Sequence, residues 1–258
     1  MASPHRALTR IGKRAARPSR VICLALALAM AAAPGTPLPA QSQDSAVTAL
    51  RWRDVATAGG VIALAAVFDA PIARRLASTA SPGRTRTAQQ LDRFGEMTVI
   101  VPVVGGLALI GTIGHHPALT RLAARTAVAT AATAVATQAS KRLIGRARPF
   151  QDPDLDATDF KPFSNQTAMP SGHAAAAFAL ATSLGDAIPS RWARAGLYLL
   201  AGGTAWARVA QEKHWLSDVV AGGAIGVLSA RLANGRLSIL GLKAPRLLAN
   251  GVGWSTEF

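Results

Sequence analysis

The chain alternates between long apolar runs and short polar stretches. Six runs rich in Ala, Val, Leu and Gly occupy residues 55–72, 97–114, 122–140, 173–188, 193–210 and 215–233. They contain little of the apolar–polar alternation that is typical of half-buried strands, so each run predicts a helix. The sequence therefore predicts an all-α fold, a six-helix bundle.

The length of the runs bears on where this bundle resides. Each run is close to the roughly 17–25 residues that a helix needs to cross a bilayer. Ala and Thr contribute little to insertion, however, and the third run contains Arg125, so a tightly packed soluble bundle remains open. Six runs of this length favour the membrane-embedded alternative.

The chain ends differ from this central part. The first 20 residues contain six basic and no acidic residues, and they precede an apolar run and a plausible cleavage site after Ala40, which is the layout of a signal peptide. Gly, Pro and Asn interrupt the helical pattern after Asn234, which favours an irregular or β-hairpin tail. The predicted organisation is a signal peptide or N-terminal anchor at 1–40, a linker at 41–54, the six-helix domain at 55–233 and the tail at 234–258.

Composition and charge narrow the possible functions. The chain is 50% hydrophobic and 16% charged, which excludes a disordered protein. Cys23 is the only cysteine, so neither an internal disulfide nor a cysteine-rich metal site can form. The net charge is +15, but the chain has no stripe of interleaved basic and aromatic residues, and we expect no nucleic-acid partner.

One segment faintly resembles a calcium-binding loop. Aspartates follow one another at Asp152, Asp154, Asp156 and Asp159. A calcium loop needs glycine at its sixth position and glutamate at its twelfth, where this chain has Ala157 and Phe163. We therefore expect a solvated acidic loop and no metal.

The first cluster with chemical potential lies at the end of the third run. Lys141 and Arg148 are seven residues apart, which places them on one face of a helix, and Pro149 then ends the helix. Two cations directed at one point suit an oxyanion. Basic residues at a helix end also favour the helix dipole, so the pair alone is weak evidence.

The fourth run begins with Pro170, Ser171, Gly172 and His173. Ser171 suits a helix cap, and the free backbone N–H groups of a first helical turn bind anions. Gly172 allows close approach of a ligand, and His173 can hold or release a proton near neutral pH. An ordinary cap followed by a polar helix-end residue remains the alternative.

The third cluster spans the boundary between the fifth and sixth runs. It contains Arg208, His214 and Asp218, and the last two are four residues apart on a helix face. At that spacing a carboxylate can orient one imidazole nitrogen and leave the other as a nucleophile or base. A carboxylate within an apolar segment is costly unless it is paired, which makes Asp218 informative.

Helix order brings the three clusters together. If the helices run alternately up and down, the end of the third, the start of the fourth, the end of the fifth and the start of the sixth lie at one end of the bundle. Three cations, a helix N-terminus, two histidines and an acid at one place would form a phosphate pocket with its own nucleophile and proton donor.

These motifs, Lys141 to Pro149, Pro170 to His173 and Arg208 to Asp218, resemble the three-part signature of the type 2 phosphatidic acid phosphatase and vanadium haloperoxidase superfamily. The resemblance implies metal-independent hydrolysis of a phosphate ester on a helical bundle. It implies that His214 attacks phosphorus, Asp218 orients His214, and His173 protonates the leaving oxygen. The phosphate-binding residues that it implies are Lys141, Arg148, Ser171, Gly172 and Arg208.

The sequence departs from the family pattern at Ala207, where the family usually has serine. Three functions are then expected, in falling order. The first is a membrane phosphatase acting on a lipid phosphate or diphosphate, with the membrane and that lipid as partners. The second is a soluble secreted acid phosphatase, and the third is a haloperoxidase that holds vanadate as its cofactor. A non-catalytic membrane protein would explain the helices but not the convergent pocket.

The expected location is a bacterial-type cell envelope, with the site facing the periplasm or exterior. A simple membrane topology conflicts with this location. A cleaved signal followed by three membrane crossings would place Arg148 on the cytoplasmic face. The conflict disappears if the first run does not cross the membrane or if the bundle is a soluble periplasmic protein.

Overall fold

The structure is a computed structural model, and it describes residues 47–238 together with the backbone of 246–248 and 251–253. The predicted signal peptide or anchor, with its cleavage site at Ala40, lies outside the described residues. The described part contains eight α-helices: α1 (Trp52–Val67), α2 (Asp69–Ser78), α3 (Pro82–Asp92), α4 (Met97–Ile113), α5 (Pro117–Ile144), α6 (Gly172–Ala187), α7 (Arg191–Ala210) and α8 (Leu216–Ala233).

The predicted all-α class is confirmed, but two details of the helix pattern were wrong. The first run breaks at Phe68, so that α1 and α2 meet at 43°. The arginine-rich stretch 73–96, which lies between the first two of the six runs, forms the end of α2, all of α3 and a 3₁₀ turn at Arg93–Gly95, so it adds a helix that the six runs do not contain. Ser81 caps α3 by accepting a hydrogen bond from the Arg84 N–H, and Pro82 begins the helix, which together start α3 without an apolar pattern.

Short strands accompany the helices. Strand β1 (Thr48–Ala49) pairs in parallel with β2 (Leu237–Ser238), which fixes the start of α1 beside the end of α8. Strands β3 (Arg246–Leu248) and β4 (Gly251–Gly253) form an antiparallel pair. This agrees with the β-hairpin, which was one of the two alternatives predicted for the tail.

Helix α6 forms the centre of the bundle and packs against α5, α7 and α8. Eleven of its 16 residues are buried, and most of these are alanine. Gly222 and Gly226 of α8 face backbone oxygens of α6, and a side chain at either position would collide with those oxygens. Small residues therefore allow α8 to approach α6 closely at the end where Ser171 begins the helix.

Within residues 47–238, α8 is the single helix with both the length and the apolar composition to cross a bilayer. The bent combinations of α1 with α2 and of α3 with α4 would raise the number to three if each combination made one crossing. This is fewer than the six apolar runs suggested. Large apolar side chains are nevertheless exposed on α1, α4 and α7, for example Leu64, Ile113 and Leu199.

Candidate active site

Helix α5 carries the first cluster and ends where the cluster requires a turn. Gly145 adopts φ = 60°, a left-handed conformation that glycine adopts without strain, and a side chain there would collide with the Lys161 carbonyl. Helix α5 therefore ends at Ile144, and the prediction that Lys141 and Arg148 share one helix face ended by Pro149 was wrong. Lys141 lies on the last turn of α5, and Arg148 follows in a loop. Both side chains are partly buried.

The N-terminus of α6 carries the second cluster. The Ser171 side chain accepts a 3.5 Å hydrogen bond from the Ala174 N–H and is fully buried, as expected of a cap. Its backbone N–H donates to the Asp218 carbonyl at 2.9 Å, which joins the start of α6 to the start of α8. Gly172 lies where a side chain would come within 3.9 Å of the Lys141 Nζ.

The third cluster lies on the turn between α7 and α8. His214 Nδ1 is 3.4 Å from Asp218 Oδ2, and both side chains are almost completely buried. The same Asp218 oxygen accepts a 2.9 Å hydrogen bond from the Trp215 N–H, so the carboxylate also caps α8. The other ring nitrogen of His214, Nε2, does not face Asp218.

Burial lowers the pKa of His214 to about 4, and the positive charges of Arg208 and Arg148 contribute to this shift. Asp218 acts in the opposite direction by stabilising the protonated ring. At neutral pH His214 is therefore uncharged, which is the state that a nucleophilic imidazole requires.

The structure brings all seven predicted side-chain positions, and Gly172, to one end of the bundle. A hydrogen bond of 2.8 Å from the Trp215 indole N–H to the Ala147 carbonyl joins the first cluster to the third. Lys141 lies within electrostatic range of Arg148, Arg208 and Asp218, and His173 lies within range of Arg208. Sequence order alone separates these residues by as many as 77 positions.

The cations of this site differ in how their charge is compensated. Among the described residues, neither Lys141 nor Arg148 forms an ion pair, and Arg148 makes one long hydrogen bond of 3.4 Å to Thr167. Arg208 is buried and pairs with Asp92 at 2.9 Å, while its Nε has no hydrogen-bond partner. Uncompensated cations and a free buried donor are what an oxyanion site needs.

Sequence reasoning missed three residues that contact this site. Arg146 was quoted within the first motif without a role, and it bonds Asp218. Asp69 of α2 pairs with Arg146, and Asp92 of α3 pairs with Arg208. Asp69 could have been found by the argument used for Asp218, because it too is a carboxylate inside an apolar run.

One group of described residues has the spacing of metal ligands. Ligand atoms of Asp92, Glu96 and His173 all lie within 4.8 Å of one another. Asp92 already pairs with Arg208 at 2.9 Å, and the Lys213 Nζ lies 3.9 Å from the same carboxylate oxygen, so this oxygen is engaged by two cations. In the acidic loop, Asp152 and Asp156 accept hydrogen bonds from the backbone N–H groups of Asp154 and Thr158, which are ordinary turn contacts.

Ala207, where the family pattern has serine, is fully buried and packs with Ala88 and Ala210. It therefore forms part of the contact between α7 and α3. His115 and His116 lie on the turn between α4 and α5. They are separated from Lys141 by most of α5, which at 28 residues is about 42 Å long.

The structure thus places a buried histidine–aspartate pair and several cations at one end of a helical bundle. The model of the PAP2 superfamily matches residues 122–236, which contain all three clusters. The predicted resemblance to the type 2 phosphatidic acid phosphatases is thereby confirmed for this part of the chain.

Individual relatives agree with this assignment. The chain is 29% identical over 144 residues to a lipid A 1-phosphatase of Porphyromonas gingivalis, in a match that covers 54% of this chain and 30% of that protein. The fold resembles the crystal structure of Aquifex aeolicus LpxE, with a TM-score of 0.51 and 20% identity over 65% of this chain and 94% of that one.

A second solved structure extends the comparison of folds. It is a transmembrane PAP2 type phosphatidylglycerolphosphate phosphatase from Bacillus subtilis, with a TM-score of 0.55 and 17% identity, and it covers 70% of this chain and 94% of that one. Both solved structures share the helical-bundle fold with this chain.

Proposed function

We propose that this chain is a metal-independent phosphatase that hydrolyses a phosphate or diphosphate ester of a lipid through a phosphohistidine at His214. The observation that carries the proposal is the buried His214–Asp218 pair, 3.4 Å apart, next to cations that have no acidic partner. A nucleophile that is neutral at pH 7 and an anion site lie together.

The reaction follows from this arrangement. The phosphoryl group would be held by Lys141, Arg148, Arg208, the Ser171 hydroxyl and the Gly172 backbone. His214 Nε2 would form a bond to phosphorus while the bond from phosphorus to the leaving oxygen breaks, and His173 would give that oxygen a proton. Water activated by His173 would then hydrolyse the N–P bond and release inorganic phosphate.

Lipid substrates and a membrane location are supported by two observations. The relatives named above include a lipid A 1-phosphatase and a phosphatidylglycerolphosphate phosphatase. The exposed apolar side chains of α1, α4 and α7 also suit contact with lipid. We propose that the protein resides in the cell-envelope membrane with its site facing the periplasm or exterior.

The test is the release of inorganic phosphate in EDTA by the wild type, His214→Ala and the control His116→Ala, which alters an exposed histidine far from the site. Each protein is offered detergent-dispersed phosphatidate, a polyprenyl diphosphate and a soluble aryl phosphate. We expect the wild type and His116→Ala to release phosphate, preferably from the lipids, and His214→Ala to release none.

The outcomes separate the alternatives. A preference for the aryl phosphate would replace the lipid phosphatase with a broad-specificity acid phosphatase. Equal release by the wild type and His214→Ala would contradict the proposal, as would an absence of release from all three substrates. In the last case, halide oxidation with vanadate and peroxide would test the haloperoxidase.

A further inference from the structure

Arg146 is not among the residues that the reaction above uses, yet it is the most completely bonded side chain at the site. We propose that Arg146 and Asp69 are positioning residues, which fix the Asp218 carboxylate and through it the orientation of the nucleophile His214. This inference rests on the proposed function, since it assigns two further residues to the same reaction.

All five N–H groups of the Arg146 guanidinium have acceptors. One terminal nitrogen donates to Asp218 Oδ1 and to the Ser217 hydroxyl, both at 2.7 Å. The other donates to Asp69 Oδ2 at 2.7 Å and to the Ala157 carbonyl at 2.6 Å, to which Nε also donates at 3.1 Å. Arg146 therefore has no donor left for a substrate, and its role is to hold its neighbours.

The flat faces of the guanidinium are also occupied. Its central carbon lies 5.1 Å from the centre of the Phe160 ring and 5.2 Å from the centre of the Trp215 ring. These contacts add a cation–π interaction and restrict rotation of the side chain. Trp215 adjoins His214 in the chain, so the arginine is held by the same turn that carries the nucleophile.

Asp218 is consequently fixed at both oxygens. Oδ1 accepts from Arg146, and Oδ2 accepts from the Trp215 N–H while facing His214 Nδ1. A carboxylate with one oxygen held in this way has a single orientation toward the imidazole. Loss of the Arg146 bond would leave Asp218 held at Oδ2 alone, by the Trp215 N–H, and would widen the range of orientations open to the carboxylate.

Asp69 holds the arginine from the opposite side. Its Oδ2 accepts from Arg146 and, at 2.6 Å, from the Ser217 hydroxyl, while Oδ1 accepts from the Ser217 N–H at 2.8 Å. The cluster contains two carboxylates and one guanidinium, so its net charge beside the neutral His214 is negative. Attack through Nε2 places positive charge on the ring, which this negative charge stabilises.

Stability alone does not explain so many buried charges. Buried ion pairs are often no more stabilising than apolar side chains of similar volume, because desolvation offsets the attraction. A cluster that touches the carboxylate partner of the nucleophile has a different use, which is the orientation of a reacting group.

The experiment compares Arg146→Lys and Asp69→Asn with the wild type and with Arg142→Lys, a control at an exposed arginine of α5. The measurements are kcat and KM for whichever of the three substrates named above the wild type hydrolyses fastest, Ki for inorganic phosphate, and thermal unfolding. Lysine retains the charge but cannot reproduce the five-donor fork. We expect kcat to fall about 100-fold in both variants, with KM and Ki within about twofold of the wild type, because the phosphate-binding residues remain in place.

A double variant distinguishes positioning from general support of the fold. If Arg146 acts through Asp218, adding Arg146→Lys to Asp218→Ala should cause no further loss of kcat. Unchanged kcat in both single variants would overturn the inference. So would a double variant whose fold-loss of kcat is the product of the two single losses, or a rise in the Ki for phosphate as large as the fall in kcat. If Arg146→Lys does not fold, Asp69→Asn decides the matter.

Failure of the inference is distinguishable from failure of the proposed function. A wild-type enzyme that depends on His214 while both single variants match it would leave the phosphatase assignment intact and remove Arg146 and Asp69 from it. A wild type without His214-dependent phosphate release would remove both.

Discussion

Two buried arginines at the same end of the bundle are paired with aspartates in different ways. Arg146 uses every donor and lies between Asp69 and Asp218. Arg208 pairs with Asp92 through one terminal nitrogen, and its Nε lacks a partner, as does Asp92 Oδ1. An arginine whose N–H donors all have acceptors can only position its neighbours, whereas an arginine with a free donor can still bind a ligand. Under the proposed function, this difference separates the side of the site that holds the nucleophile from the side that binds phosphate.

The largest effect should come from the nucleophile side. Asp218→Asn removes the negative charge that orients His214 and leaves Arg146 opposite a neutral amide. By analogy with the aspartate of serine-protease triads, we expect kcat to fall by about 10⁴-fold, with little change in Ki for phosphate. Phosphate-release kinetics measure this, and a loss of less than tenfold would show that Asp218 does not support the nucleophile.

On the phosphate side, Arg208→Lys should reduce kcat/KM by about 10²- to 10³-fold, which is typical when one donor to a developing oxyanion is lost. Here the Ki for inorganic phosphate should rise as well, since the proposed function has Arg208 contact the phosphoryl oxygens already in the ground state. The contrast with Arg146→Lys is the informative result. If the two variants gave the same pattern of kcat and Ki, the distinction between a binding and a positioning arginine would be wrong.

Protonation of His214 should link the site to stability. The native pKa is about 4, below the ordinary value near 6.5, so the unfolded chain binds a proton more readily and stability falls as pH decreases between these values. The loss should reach about 3 kcal/mol by pH 4. Unfolding of the wild type and His214→Gln at pH 7 and pH 4.5 measures it. A loss as large in His214→Gln would assign the effect to other groups.

The smallest of the four effects is expected at Lys141, which is partly exposed, so that solvent screens its charge. Lys141→Met should raise Ki for phosphate about tenfold, while Arg142→Met, at the neighbouring exposed position, should leave it unchanged. Isothermal titration with phosphate compares the two variants directly. Equal effects in both would mean that only the general positive charge of this helix end matters.

Much of the fold follows from the apolar runs, because each run predicts a helix and their order brings the three clusters to one end. The helix boundaries were predicted wrongly where a capping residue or a proline starts or ends a helix independently of the apolar runs. Residues 73–96 are rich in arginine, but the Ser81 cap and Pro82 start a helix there. The break at Phe68 does have a sequence signal, because Pro71 has no N–H for the Val67 carbonyl and its ring would collide with that carbonyl in a continuous helix.

The site was predictable where its residues occur in compact motifs, and not where they pair over long distances. Lys141, Ser171 and His214 belong to recognisable spacings. Asp69 lies 77 residues from Arg146, and Asp92 lies 116 residues from Arg208. No periodicity connects such positions, because tertiary packing decides which helices become neighbours. The one available clue was the cost of leaving a carboxylate unpaired within an apolar segment.

The central claim is that His214 carries the phosphoryl group during turnover. Rapid quenching of the wild type with a ³²P-labelled substrate, followed by alkaline peptide mapping, tests it directly because phosphohistidine is stable in base and labile in acid. Acid-labile label should appear on the peptide that contains His214, and none should appear in His214→Ala. Label on another residue, or steady turnover with no labelled enzyme at any quench time, would contradict it.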